Sequence, residues 1–126
     1  MLQRWVLIAN AIISGLFGLG FLFAANAVLG LYGGMSMEPA TDQLFGGALI
    51  GLALINVLAR DVQDRDARLA VFAGNFVYNV VTLVVFVMGV GALGSAPVVA
   101  GVVVAAVFTV AFGSLLFTTF QTRTAG

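Results

Sequence analysis

Within the stretch NFVYNVVT, residues 75–82, two asparagines, a tyrosine and a threonine interrupt an otherwise apolar run. At about 100° per residue, Asn75, Tyr78, Asn79 and Thr82 fall inside one helical arc about 100° wide. Carboxamides and hydroxyls donate and accept hydrogen bonds without carrying charge. Such a stripe either binds a polar group or fastens one helix to another. Similar residues recur in the chain: Asn10 and Ser14 one turn apart, Asn56, and Ser114 with Thr118 and Thr119. At ~1.5 Å per residue, most of them lie within about 6–14 Å of the nearest arginine. They therefore predict a single polar layer, with Asn79 reaching deeper.

Chemistry of other kinds is poorly supplied. The chain has no cysteine and no histidine, and its five positive charges are all arginines. Thiolate chemistry, disulfides and imidazole ligation are excluded. No catalytic set, metal site or resident cofactor is assigned, and the expectation is a protein without enzymatic activity. Glu38 and Asp42 are four apart, but two carboxylates make a poor shell for Ca²⁺. Asp42 more simply favours the dipole at a helix start. A net charge of zero gives no reason to expect nucleic-acid binding.

The elements that position these side chains follow from composition. The 126 residues are 62% hydrophobic and 8% charged, whereas soluble domains are about 45–50% apolar and about 25% charged. A spanning helix needs roughly 20 apolar residues. The first candidate runs from Trp5 to about Leu31. The second covers residues 39–60, with Pro39 in its first turn, where a missing N–H is harmless. No charge occurs between Arg68 and Arg123. The segment GVGALGSAP, residues 89–97, divides that run into spans over 68–91 and 96–120, with Ser95 and Pro97 opening the last helix. The fold expected is all-α: one polytopic domain over residues 1–126, a bundle of four transmembrane helices.

Arg4, an apolar run and Ala25-Asn26-Ala27 resemble a secretory signal peptide. The run exceeds an h-region of about 7–15 residues, so a retained first span is expected. Arg4, Arg60, Arg65, Arg68 and Arg123 fall at the two termini and in the loop 60–68. With four spans all of these share one side, and arginine bias places that side in the cytoplasm, N-in and C-in. Were the loop helical, Asp61–Arg65 and Asp64–Arg68 would form i,i+4 pairs.

Small residues offer packing ridges. Gly47 and Gly51 form GxxxG on the second span, with Gly46, Ala53 and Asn56 on another face. Gly101, Ala105, Thr109 and Gly113 recur every four residues on the fourth span, Ser14 and Gly18 on the first, and Ala70 and Gly74 on the third. This surplus of close-packing surface points to contacts with a partner or a second copy.

The segments LGLYGG (29–34), Pro39 and LFGGALIGLALINVLARD (44–61) resemble a loose set of small bacterial four-helix membrane proteins that are themselves uncharacterised. The resemblance covers about the first half of the chain and implies architecture, not activity. The role expected is a non-catalytic accessory or structural subunit of a larger complex in a bacterial inner membrane, contacting lipid or a hydrophobic cofactor. The alternative is a small oligomeric carrier or channel with a polar cavity open to the cytoplasm. Proton-coupled transport is disfavoured, because no ionisable group lies at depth.

The orientation is testable because the chain has no native cysteine. In intact cells, Ser36→Cys is expected to react with a membrane-impermeant maleimide, and Gln63→Cys only after permeabilisation. The reverse pattern would invert the topology.

Overall fold

The computed structural model describes residues 2–32, 34, 38–88 and 96–124, the last two by backbone alone. Among these residues there are five helices: α1 (Leu2–Phe23), α2 (Ala25–Leu31), α3 (Pro39–Ala59), α4 (Arg65–Met88) and α5 (Ala96–Thr124). Four of them, α1, α3, α4 and α5, are long and apolar enough to cross a membrane, which is consistent with an integral membrane protein. The break between the third and fourth spans, residues 89–95 with Ser95, lies outside the described residues, as does the side chain of Arg123.

The first apolar run is two helices rather than one. Residues 5–31 in a straight helix would extend about 40 Å, against a hydrocarbon thickness of about 30 Å. The helix breaks at Ala24, with φ −148° and ψ 50°. Neither glycine nor proline marks the break itself. The enabling residue is Gly20, where an added Cβ would lie 2.6 Å from Val28 Cγ2. The missing side chain lets α2 fold back against α1.

Helices α1 and α3 pack closely as one pair and α4 and α5 as another, while contacts between the pairs are sparse. In the first pair Gly18 and Gly46 meet backbone to backbone. A Cβ on Gly46 would sit 2.7 Å from the Gly18 carbonyl oxygen and 2.9 Å from Leu22 N. In the second pair Gly113 receives the Phe76 ring, Gly101 receives Phe86, and Ala105 is buried. The GxxxG of Gly47 and Gly51 is not used within the chain: both face open space, as does Gly74. The register of α3 against α1 selects Gly46, one residue earlier, for the contact.

The two pairs join at one end. Val6, Leu7, Ala59, Phe72, Phe108, Phe112 and Leu115 form a continuous buried core there. Those positions lie early in α1 and α4 and late in α3 and α5, so the long helices alternate in direction, with Arg4, Arg60, Arg65 and Arg68 at this shared end.

Of the loop 60–68, residues 60–64 are not helical while Arg65–Arg68 open α4, and the i,i+4 ion pairs give way to other contacts. Asp61 pairs with Arg4 at 3.2 Å and with Arg60 at 3.5 Å. Asp64 instead caps α4, accepting from the Ala67 N–H at 2.8 Å. Arg68 lies over the Phe72 ring. Gln3 completes the junction: its amide Nε2 donates to the Val62 carbonyl at 2.9 Å and to Ala59 at 3.3 Å. Gln3 thereby ties the start of α1 to the end of α3 and to the turn that follows it.

Gly46→Ala is expected to destabilise the fold by about 1–3 kcal/mol, the usual cost of overpacking. Gly47→Ala, facing open space, should be neutral or gain up to about 1 kcal/mol. Thermal unfolding of both variants in one detergent checks this, and equal melting temperatures would refute the assigned register.

Candidate functional site

Three helices meet through asparagines. Asn56 of α3 donates from Nδ2 to Asn10 Oδ1 of α1 at 2.8 Å and to Asn75 Oδ1 of α4 at 3.0 Å. Asn75 returns a bond from its Nδ2 to Asn56 Oδ1 at 2.7 Å, closing a reciprocal amide pair. The other Asn75 N–H goes to the Val71 carbonyl at 2.9 Å, and Ser14 Oγ donates to Asn10 Oδ1 at 3.3 Å. Asn79 Nδ2 donates to the Asn75 carbonyl at 2.8 Å. Asn56 and Asn75 are 0% and 1% exposed, so this network is sealed from solvent. A neutral amide suits the position because it both donates and accepts, where a carboxylate would bring an unpaired charge into an apolar interior.

The sequence-predicted polar layer is thus assembled in part. Asn10, Ser14, Asn56, Asn75 and Asn79 come together, and Tyr78 and Thr82 continue the α4 stripe, half-buried. Ser114 and Thr118 do not join them. Both are exposed on the outer face of α5, where Thr118 Oγ1 donates to the Ser114 and Leu115 carbonyls. Thr119 is the buried residue of that turn, and its hydroxyl is returned to the Leu115 carbonyl at 2.7 Å. A hydroxyl bonded to its own helix needs no neighbour, so residue type alone does not assign a threonine to a layer.

Beyond the asparagines, away from the arginine end, the two helix pairs flank a half-open cavity of about 720 Å³. Asn10, Ser14, Tyr78, Asn79 and Thr82 contribute the polar part of its lining, nearest the asparagine network. Its remaining wall is apolar, from Ile13 and Leu49 through Val85, Val104, Ala105 and Phe108. At the far end stand Phe17, Phe21, Tyr32, Phe45 and Phe86. Tyr32 of the α2 terminus lies 5.2 Å from Phe86 and 6.4 Å from Phe17, and Phe21 meets Phe45 edge-on at 5.0 Å. Burial pushes the Tyr32 phenol above its ordinary value. Among the described residues, none that lines it carries a formal charge. Among the described residues no cluster of histidine, cysteine or acids is grouped to hold a metal.

The aromatic and aliphatic wall was not singled out by sequence. Its signal is diffuse, because phenylalanines lining a cavity and phenylalanines facing outward have the same helical spacing.

No protein-family model, curated protein or solved structure matches the chain. The chemistry of the site alone therefore carries its function.

Asn56→Leu leaves Asn10 and Asn75 short of partners and is expected to cost about 1–3 kcal/mol. Ser114→Ala and Thr118→Ala should stay within about 0.5 kcal/mol of the native chain. A double-mutant cycle on Asn56 and Asn75 should show coupling of about 0.6–1.7 kcal/mol, and additivity would remove the amide pair.

Proposed function

We propose that the protein is a small, non-catalytic integral membrane protein that holds one hydrophobic molecule between its two helix pairs. The observation that carries this reading is the cavity. A volume near 720 Å³ falls in the range of about 300–1,000 Å³ typical of pockets that enclose a single organic ligand. Its wall is mostly apolar, and its hydrogen-bonding groups gather at the asparagine end, apart from the Tyr32 hydroxyl at the other. The space is half open to the surface, so an apolar molecule has a way into it from the side.

In this reading the four apolar helices span a bacterial inner membrane with both termini in the cytoplasm, as the arginines Arg4, Arg60, Arg65 and Arg68 suggest. The protein serves as an accessory subunit of a larger membrane assembly, presenting its lipid or hydrophobic cofactor to a partner or to a second copy. The outward-facing Gly47 and Gly51 support that role, since helices approach closely over such residues.

The geometry favours this reading over a carrier for polar solutes. A carrier open at the arginine end needs a wet passage there, but Val6, Leu7, Phe72 and Phe112 fill that end. The asparagines nearest to it spend their hydrogen bonds on one another.

Native mass spectrometry of the protein purified in mild detergent tests the proposal. One bound hydrophobic molecule per chain is expected. Val104→Trp, which fills the cavity, should abolish it with little change in melting temperature, whereas Val110→Trp, on the exposed face of α5, should retain it. Retention of the molecule in Val104→Trp would overturn the cavity as its site.

A further inference from the structure

Helices α3 and α4 are joined at Asn56 and Asn75 and part as they run away from the arginine end. One to two turns beyond the joint Leu49 of α3 is still buried, but Phe45 is 44% exposed. On the facing side of α4, Val81 and Val85 are 54% and 53% exposed. All four side chains line the cavity. A lining residue that is also at the surface marks an edge of the opening. On the opposite seam the α1 edge is closed, since Ile13 and Phe17 are half-buried, and exposure of the lining is confined to the α5 side. The cavity therefore opens sideways between α3 and α4, flanked by further exposed apolar residues such as Leu44 and Val84.

The length and depth of the space limit what enters it. Along α1 the lining runs from Asn10 to Phe21, about 16 Å of helix. That is close to half of a hydrocarbon core about 30 Å thick, and it is the half away from Arg4, Arg60, Arg65 and Arg68. A slot that lies along the helices and opens at its side has the direction of an acyl chain in one leaflet. Among the described residues no charged side chain lines it, so a charged headgroup would go unpaired inside and stays out. Hydrocarbon at the inner end breaks no existing bond there, because Ser14, Asn79 and Thr82 each donate within the protein.

From this we infer that the occupant is one acyl chain of a bilayer phospholipid, drawn in between α3 and α4 from the leaflet opposite the arginine end, with its headgroup left outside. This rests on the ligand-holding function proposed above.

The test uses the full chain in nanodiscs doped with phosphatidylcholine carrying a diazirine on one acyl chain, either beside the ester or at the chain end. A diazirine-bearing alkane is the comparison probe. Adducts are mapped by mass spectrometry along α5, where Ala105 and Phe108 are buried and can be reached only from inside the cavity. The chain-end probe is expected to label near Phe108 and the ester-side probe near Gly101; the reverse order would overturn the leaflet. Val81→Trp, which fills one edge of the opening, should lower both signals severalfold. Val84→Trp, exposed on α4 at the same depth but outside the lining, should leave them unchanged. Equal labelling in these two variants would overturn entry between α3 and α4, and Val85→Trp on the same edge repeats the comparison where Val81→Trp fails to fold. Labelling of Ala105 and Phe108 by the alkane but not by the phospholipids would overturn the acyl chain while leaving the ligand-holding function intact. Labelling by none of the probes would overturn both.

Discussion

Asn56 donates both of its amide hydrogens across helix boundaries, one to α1 and one to α4. In an apolar bundle there is no hydrophobic force to separate helix from lipid, and no water to satisfy a stray polar group. A residue that bonds in two directions at once therefore fixes the α1–α3 pair against the α4–α5 pair more definitely than any aliphatic contact. The joint is bonded from both sides: Asn75 uses both of its N–H groups and Asn10 Oδ1 accepts twice. A half-satisfied version would be worse than an apolar core. The joint is accordingly strong where it occurs and leaves the rest of the inter-pair surface free to diverge.

That divergence generates the cavity. Within each pair, glycines remove side chains where backbones or rings must approach: Gly18 and Gly46 in one, Gly101 and Gly113 in the other. Between the pairs, large side chains fill the arginine end only as far as Phe108 and Phe112, which lie 6.2 Å apart in a stacked arrangement. Gln3, Arg4 and Asp61 bind the chain together outside that plug. The ion pair there is about half exposed and contributes little by itself. Packing, amide bonding and the Gln3 clamp all act at the same end, and so the opposite half holds the space.

Helix content, the bounds of α3 and the inward stripe of α4 were legible in the sequence, because length, hydropathy and a 3.6-residue period report them directly. Asn10, Ser14, Asn56 and Asn75 were legible as one layer for the same reason, since distance from an arginine measures depth. Other features depended on register, which a single sequence does not carry. Gly46 and Gly47 are adjacent and chemically identical, yet only Gly46 touches another helix. Thr118 and Thr119 likewise differ only in which way one residue of rotation points them. The paired charges of the loop 60–68 were misleading because Asp64 stops being a side-chain partner once it becomes a cap.

The break at Ala24 turns surplus helix length into part of the cavity wall. An apolar run too long for one crossing has to tilt, protrude or fold, and Gly20 makes folding the accessible choice by letting Val28 close on α1. The returning helix α2 is too short and too exposed to stabilise the bundle. What it adds is position: Leu29 and Tyr32 reach the cavity that α1, α4 and α5 leave unfinished, and Tyr32 sets its ring between Phe17 and Phe86. A Cβ at Gly20 would meet the Val28 side chain, which would have to turn aside. The glycine lies at a distance from the cavity whose wall α2 extends, and α2 is the one helix among the described residues that is not long enough to cross a membrane.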